Sequence, residues 1–300
     1  MSMPKKVVVA EVCPRDGWQN HPVHIPAEIK IKYIKKMVDY GARKIEVTSF
    51  VSPKYVPQMG DAKEVFQGVQ SYLDEHGVTS FVLALNKRGV EDARAAGVRN
   101  VNFVLSASEE HNLRNSRRTI QQSLDAFKEL AKEAQDLHII LSMPCAFGSP
   151  FGDEVPLDRL KWLIDEAEQV GVEEFGIADT AGISNPENTR RVLRAIREYT
   201  DISKVSLHMH DTYGMGLANA YVGLEEGITA LDSSLAGMGG CPFVPGAKGN
   251  IATEDLLYML HDMGIDTGYD LNLVNQTAAE MAGEIQASVV SCQGSLCKHR

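Results

Sequence analysis

A single (β/α)8 barrel is the fold the sequence predicts, on three observations. Short β-branched runs alternate with amphipathic stretches along the chain. Gly-Val, Gly-Ala or Gly-Ile pairs stand just ahead of several of these runs, where they would end a helix. Eight such units fit in about 260 of the 300 residues, the span of a closed barrel. Strands that alternate with helices pair in parallel; a doubly wound open sheet is the competing arrangement.

Taken in order, the first strand is Val7–Val12, followed by a helical pattern from near Ala27. Gly41-Ala42 precedes Lys44–Ser49, whose helix starts near Asp61, and Gly77-Val78 precedes Ser80–Leu85, with a helix from Lys87. Gly97-Val98 leads into Asn100–Leu105 and a helix near Ser116, then Leu137–Ser142 and a helix near Pro156. Gly171-Val172 introduces Glu174–Ala178, with a helix from Pro186. Lys204–Met209 is followed by a helix near Tyr213, and Ile228–Asp232, after Gly227, by a long loop and a helix near Ile251. With no linker or low-complexity segment, residues 1–265 form one catalytic barrel, and 266–300 a helical extension ending in a loose basic tail.

Composition narrows the partners. Thirty basic against forty acidic side chains leave a net charge of −10, which argues against a nucleic-acid or anionic-membrane binder. No apolar run approaches the ~18–20 residues of a membrane span, and no leader is visible ahead of the first strand. Cys13, Cys145, Cys241, Cys292 and Cys297 are odd in number and widely spaced, which fits free thiols in a reducing cytosol, so a cytoplasmic location is expected.

A barrel of this kind carries its chemistry at the C-terminal ends of the strands. Strand one exits into Arg15-Asp16, strand two carries Glu46, strand seven ends His208-Met209-His210, and strand eight leads into the loop 233–250. These four exits are contiguous around a closed barrel. His208 and His210, two apart on a strand, point to one side, and Leu207 and Met209 point to the other. Asp16 and the amide of Asn250 can converge on the same place, giving two imidazoles, a carboxylate and an amide oxygen for a divalent metal. Mixed nitrogen and oxygen donors suit Mg²⁺ or Mn²⁺; Zn²⁺ and Fe²⁺ stay open. Arg15 supplies a fixed cation for negative charge developing on an oxygen. Glu46 is either a core carboxylate held by Arg15 or a general base, and Glu11 a weaker version of it. Cys241, in the glycine-rich run 237–249, is a proton donor or nucleophile on a rim loop. Cys13 and Cys145 read as small buried hydrophobes; Arg114, Arg117 and Arg118 are either phosphate contacts or, as is commoner, a solvated helix face.

The segments Glu11-Val-Cys-Pro-Arg15-Asp16-Gly-Trp-Gln-Asn20, Glu46-Val-Thr-Ser-Phe-Val-Ser-Pro-Lys54, His208-Met-His-Asp-Thr-Tyr-Gly214 and Asp232-Ser-Ser-Leu-Ala-Gly-Met-Gly-Gly-Cys-Pro-Phe243 carry a family resemblance. The sequence resembles the 3-hydroxy-3-methylglutaryl-CoA lyases over residues of about 7 to 268. The resemblance implies a metal held by Asp16, His208, His210 and Asn250, with Arg15, Asp16, Glu46, His208 and Cys241 taking part in the reaction. It implies an acyl-CoA substrate and a homo-oligomer, a dimer. The implied chemistry is cleavage of a 3-hydroxyacyl-CoA to acetyl-CoA and a keto acid. Asp16 or a histidine takes the hydroxyl proton, Arg15 stabilises the enolate oxygen, and Cys241 protonates the enolate carbon.

Cys13 stands where those enzymes usually have glycine, and Trp18 where they usually have leucine. His21-Pro22 replaces a Glu-Lys pair whose lysine helps to hold coenzyme A. Trp18 is expected to add apolar bulk at the mouth and either shorten the acyl pocket or stack on a ligand. Competing readings are an acetyl-CoA-dependent synthase of the same barrel group, an Fe²⁺ oxygenase using His208, His210 and Asp16, and a non-catalytic metal-binding barrel.

Overall fold

The computed structural model describes residues 3–240 and 249–297. Eight strands follow one another around a closed barrel: β1 (Val8–Glu11), β2 (Lys44–Ser49), β3 (Thr79–Leu83), β4 (Asn100–Val104), β5 (His138–Met143), β6 (Glu174–Asp179), β7 (Val205–Met209) and β8 (Ala230–Ser233). All neighbours are parallel, and β1 closes on β8 with Val8 opposite Ala230 and Glu11 opposite Ser233. The predicted barrel is the observed one, and the open sheet is excluded.

The helices after the successive strands are α1 (Ala27–Asp39), α2 (Ala62–Glu75), α3 (Lys87–Ala95), α4 (Glu109–Ser116), α5 (Ile120–Glu133), α6 (Leu157–Glu168), α7 (Pro186–Arg197), α8 (Gly216–Glu225) and α9 (Thr253–Asp262). After β4 the sequence predicts one helix and the structure has two. Ser108 Oγ accepts the His111 N–H at 3.0 Å and starts α4. Arg117, at φ 59°, ends it, and a Thr119–Gln122 capping box starts α5.

Strand alternation divides the core. Leu207 and Met209 are buried among the outer apolar side chains, while Ala10, Val12, Phe81 and Ile140 form a separate apolar cluster inside the barrel. Lys44 and Glu174 pair across the interior from β2 to β6. Gly176 packs closely here: a Cβ on it would stand 2.7 Å from Ser142 Oγ, and that hydroxyl would have to turn away. The lower barrel is therefore filled, and polar groups collect at the C-terminal mouth.

The extension contains α10 (Leu271–Ile285) and α11 (Cys292–Cys297). The basic end of the expected tail, residues 298–300, lies outside the described residues; the segment before it is tied to the barrel. The Val290 N–H donates to the Ala236 carbonyl at 3.1 Å, and the Cys292 and Gln293 N–H groups donate to the Asp255 carboxylate, each at 2.8 Å. No helix among the described residues is long and apolar enough to cross a membrane.

Candidate active site

Chain geometry after β1 aims two charged residues into the mouth. In the tight turn Cys13–Gly17, the Val12 carbonyl accepts the N–H groups of Arg15, Asp16 and Gly17 at 3.2, 2.8 and 3.4 Å. Arg15 Nε donates to Glu46 Oε2 at 2.7 Å, and its Nη1 contacts Asp16 Oδ1. Glu46 Oε1 accepts the Asn102 amide at 3.1 Å. Burial opposes the Arg15 charge, but Glu46 and Asp16 outweigh it and hold the guanidinium above the ordinary arginine range. Burial alone would raise Asp16 too; Arg15, then His208, His210 and the Asn250 amide, bring it down to about 2.

His208 and His210 both line the mouth, because they share one side of β7 and its extension. Their Nε2 atoms are 3.2 Å apart, and Asp16 Oδ2 lies 3.9 Å from the first and 4.0 Å from the second. A cation ~2.1 Å from each donor would space adjacent ligands ~3 Å apart, so small shifts suffice to chelate one. Among the described His, Cys, Asp and Glu residues this is the one cluster whose donor atoms fall within 4.8 Å of one another. Burial disfavours charge on His208, yet Asp232 and Asp16 raise its pKa; a bound cation would take the place of that proton. Burial and the neighbouring His208 push His210 down to about 4, leaving the neutral ring a ligand requires. The donor set fits a divalent cation.

Asn250 reaches the site through a short antiparallel bridge to His210, in which the Asp211 N–H donates to the Gly249 carbonyl at 2.7 Å. Gly249, at φ 86°, passes so close to Gly239 that a Cβ would meet its backbone carbon at 2.5 Å. The Asn250 amide meets the site beside Asp16. Asn250 Nδ2 donates to Asp16 Oδ2 at 2.7 Å and to the Met238 carbonyl at 3.1 Å, because both neighbours are acceptors.

Cys241 lies outside the described residues. Glu11 sits beneath the rim, wholly buried, and accepts the N–H groups of Cys13 and Leu235 and the hydroxyls of Tyr40 and Thr253. Trp18 is 0% exposed and belongs to the core, not to the mouth, so it does not shorten the pocket. Arg114 stacks over Phe151 at 4.5 Å and pairs loosely with Glu110, as a helix-face residue does.

Two polar residues at the site escaped the sequence reading. Asp232 Oδ2 lies 3.1 Å from His208 Nδ1, and Asn102 holds Glu46. Both share the inward side of their strands, the signal that selects His208. Together with Leu83, Leu85, Val104 and Pro144, these residues line a cavity of about 400 Å³, polar on the β7–β8–β1–β2 arc and more apolar opposite.

A barrel with two imidazoles, a carboxylate and an arginine at its C-terminal mouth belongs to the class of barrel enzymes fit to hold a divalent cation beside a small-molecule substrate. The family model described as HMGL-like matches residues 6–280, and the chain belongs to that family. It is 40% identical over 273 residues to the hydroxymethylglutaryl-CoA lyase of Bacillus subtilis, covering 90% of each chain. It is also 40% identical, over 274 residues, 91% of this chain and 90% of the relative, to the 3-hydroxy-3-isohexenylglutaryl-CoA/hydroxymethylglutaryl-CoA lyase of Pseudomonas aeruginosa. An HMG-CoA lyase structure from Acinetobacter baumannii, in complex with coenzyme A and 3-methylmalate, superposes with a TM-score of 0.93 at 34% identity. That match covers 98% of this chain and 96% of the other.

Proposed function

We propose that the chain is a carbon–carbon lyase that cleaves 3-hydroxy-3-methylglutaryl-CoA, or a close 3-hydroxyacyl-CoA, to acetyl-CoA and acetoacetate or the matching keto acid. The observation that carries this reading is the convergence of Asp16, His208 and His210 beside Arg15 in one cavity, in a member of this lyase family.

A divalent cation, Mg²⁺ or Mn²⁺, would supply Lewis-acid chemistry here by lowering the pKa of the substrate hydroxyl. Asp16, His208, His210 and Asn250 would hold it. Asp16 or an imidazole accepts the hydroxyl proton, and the bond between the carbinol carbon and the acyl α-carbon breaks toward a thioester enolate. Arg15, pinned by Glu46, stabilises the enolate oxygen, whose charge is larger in the transition state than in the substrate. Cys241 returns a proton to the enolate carbon; an ordinary thiol near ~8.5 is mostly protonated at neutral pH and starts as a donor. A homodimer in a reducing cytosol completes the proposal, in keeping with the buried free thiol of Cys13.

The test is acetyl-CoA release from a panel of 3-hydroxyacyl-CoAs, with and without chelator. Chelator-sensitive release from one or more of them is expected. Absence of turnover by metal-loaded protein on the whole panel would end the proposal. Asp16→Ala and His208→Ala should lose metal and turnover together.

A further inference from the structure

Ala236 holds a left-handed backbone conformation, φ 62° and ψ 9°, in the turn Leu235–Gly237 that follows β8. A residue with a side chain adopts this conformation at a cost and keeps it only where its surroundings impose it. Here both backbone groups of Ala236 are held. Its N–H donates to Glu254 Oε2 at 2.9 Å, and its carbonyl accepts the Val290 N–H at 3.1 Å. Glu254 Oε1 in turn accepts the Ser291 hydroxyl at 2.8 Å. Glu254 is 0% exposed and Ser291 1% exposed.

Two successive backbone N–H groups, those of Leu235 and Ala236, thus each meet a different buried carboxylate, Glu11 and Glu254. Two acidic groups close together inside a core repel one another and lose hydration, so core packing alone would favour apolar side chains at these positions. What the carboxylates supply is a defined place for the turn. The turn leads directly to Met238, whose carbonyl accepts Asn250 Nδ2, and Asn250 Nδ2 also donates to Asp16. Only hydrogen bonds and one short run of backbone separate Ser291, near the C-terminus, from the carboxylate at the centre of the mouth.

We propose that Glu254, with Ser291 of the C-terminal segment, is a positioning residue that locks the Leu235–Gly237 turn so that Met238 holds the Asn250 amide beside Asp16 at the cation site. The inference rests on the reading of Asp16, His208 and His210 as a cation site. On this account the C-terminal segment belongs to the working parts of the barrel mouth.

The test uses the full chain and two readouts, Mn²⁺ affinity by calorimetry and steady-state turnover. Glu254→Gln keeps an acceptor for the Ala236 N–H, and the Ser291 hydroxyl can rotate to accept from the new amide. Its Mn²⁺ affinity and kcat should stay within about threefold of the starting protein, whereas Glu254→Met should lose about tenfold in each, with KM changed less. Adding Ala236→Gly to Glu254→Met should restore at least about threefold, because glycine adopts a positive φ without the clamp. Ser291→Ala, which removes one hydroxyl, should weaken Mn²⁺ binding about threefold even if Glu254→Met fails to fold.

Unchanged Mn²⁺ affinity in Ser291→Ala or Glu254→Met would overturn the proposal, as would a folded Glu254→Met that Ala236→Gly fails to improve. The Mn²⁺ readout does not depend on substrate. Protein that binds Mn²⁺ but cleaves no acyl-CoA would defeat the lyase reading and leave the positioning role decided by the affinity series.

Discussion

Asp232 stands opposite His208 in the β7–β8 register, and its Oδ2 accepts the His208 Nδ1–H at 3.1 Å. That contact fixes which imidazole nitrogen carries the proton and turns Nε2, with its lone pair, toward Asp16 and His210. A carboxylate behind a ligating imidazole also increases the basicity of the ring. Asp232→Asn keeps the shape and an acceptor oxygen but removes the negative charge. Mn²⁺ affinity is expected to fall about 10- to 100-fold, with kcat recovering at saturating metal. Calorimetric affinity equal to the starting protein's would rule out this role.

Arg15 touches two carboxylates at once, Glu46 through Nε and Asp16 through Nη1. A lysine ammonium is a point charge on a flexible stem and cannot reproduce that planar fork. If Arg15 stabilises the enolate oxygen, Arg15→Lys should lower kcat by about 10²- to 10³-fold, with a smaller effect on KM. Single-turnover rates at saturating substrate check this. A loss expressed wholly in KM would place Arg15 in ground-state binding instead.

Replacing Cys241 by alanine separates proton donation from metal binding. No thiolate is needed for the proposed cation site, so Mn²⁺ affinity should hold within about twofold while turnover falls by about 10² or more. Full turnover in Cys241→Ala would remove the thiol from the reaction.

Much of this site can be read in the sequence because strand parity is a local property. His208 and His210 are two apart, so their common side follows from residue spacing alone, and the structure places both at the mouth. Asp232 has the right parity as well, but its partnership with His208 depends on the β7–β8 register, which no local pattern carries. Trp18 was misplaced for a similar reason. Its depth is set by the tight turn after β1, where the Trp18 N–H donates to the Cys13 carbonyl at 3.0 Å, and the apolar character of the residue gave no direction. The division of α4 from α5 depends on a left-handed Arg117, a conformation for which arginine is no signal. The Ser291–Glu254 contact joins residues 37 apart in sequence and appears only once the chain is folded.

Glu254 also predicts how stability depends on pH. Burial is the main cause that lifts its carboxyl from 4.5 to about 7; nearby Glu11 raises it further, while the hydrogen bonds from Ser291 and Ala236 pull it down. In the unfolded chain the group ionises near the ordinary value. Between about pH 4.5 and 7 the folded protein therefore keeps a proton that the unfolded chain has released. The contribution is fully present below the unfolded value and is lost as pH rises through about 7, amounting to on the order of 3 kcal/mol. Glu11 and Asp179 are raised by burial too and act in the same direction, so the difference between two proteins isolates the effect better than one curve. Urea unfolding of the starting protein and of Glu254→Gln at pH 5 and pH 8 provides it. The stability of the starting protein relative to the variant should decrease from pH 5 to pH 8, because only the starting protein must ionise a buried carboxyl. A difference that stays flat across that range would mean that Glu254 ionises equally in both states, and its burial would then cost nothing that pH can reveal.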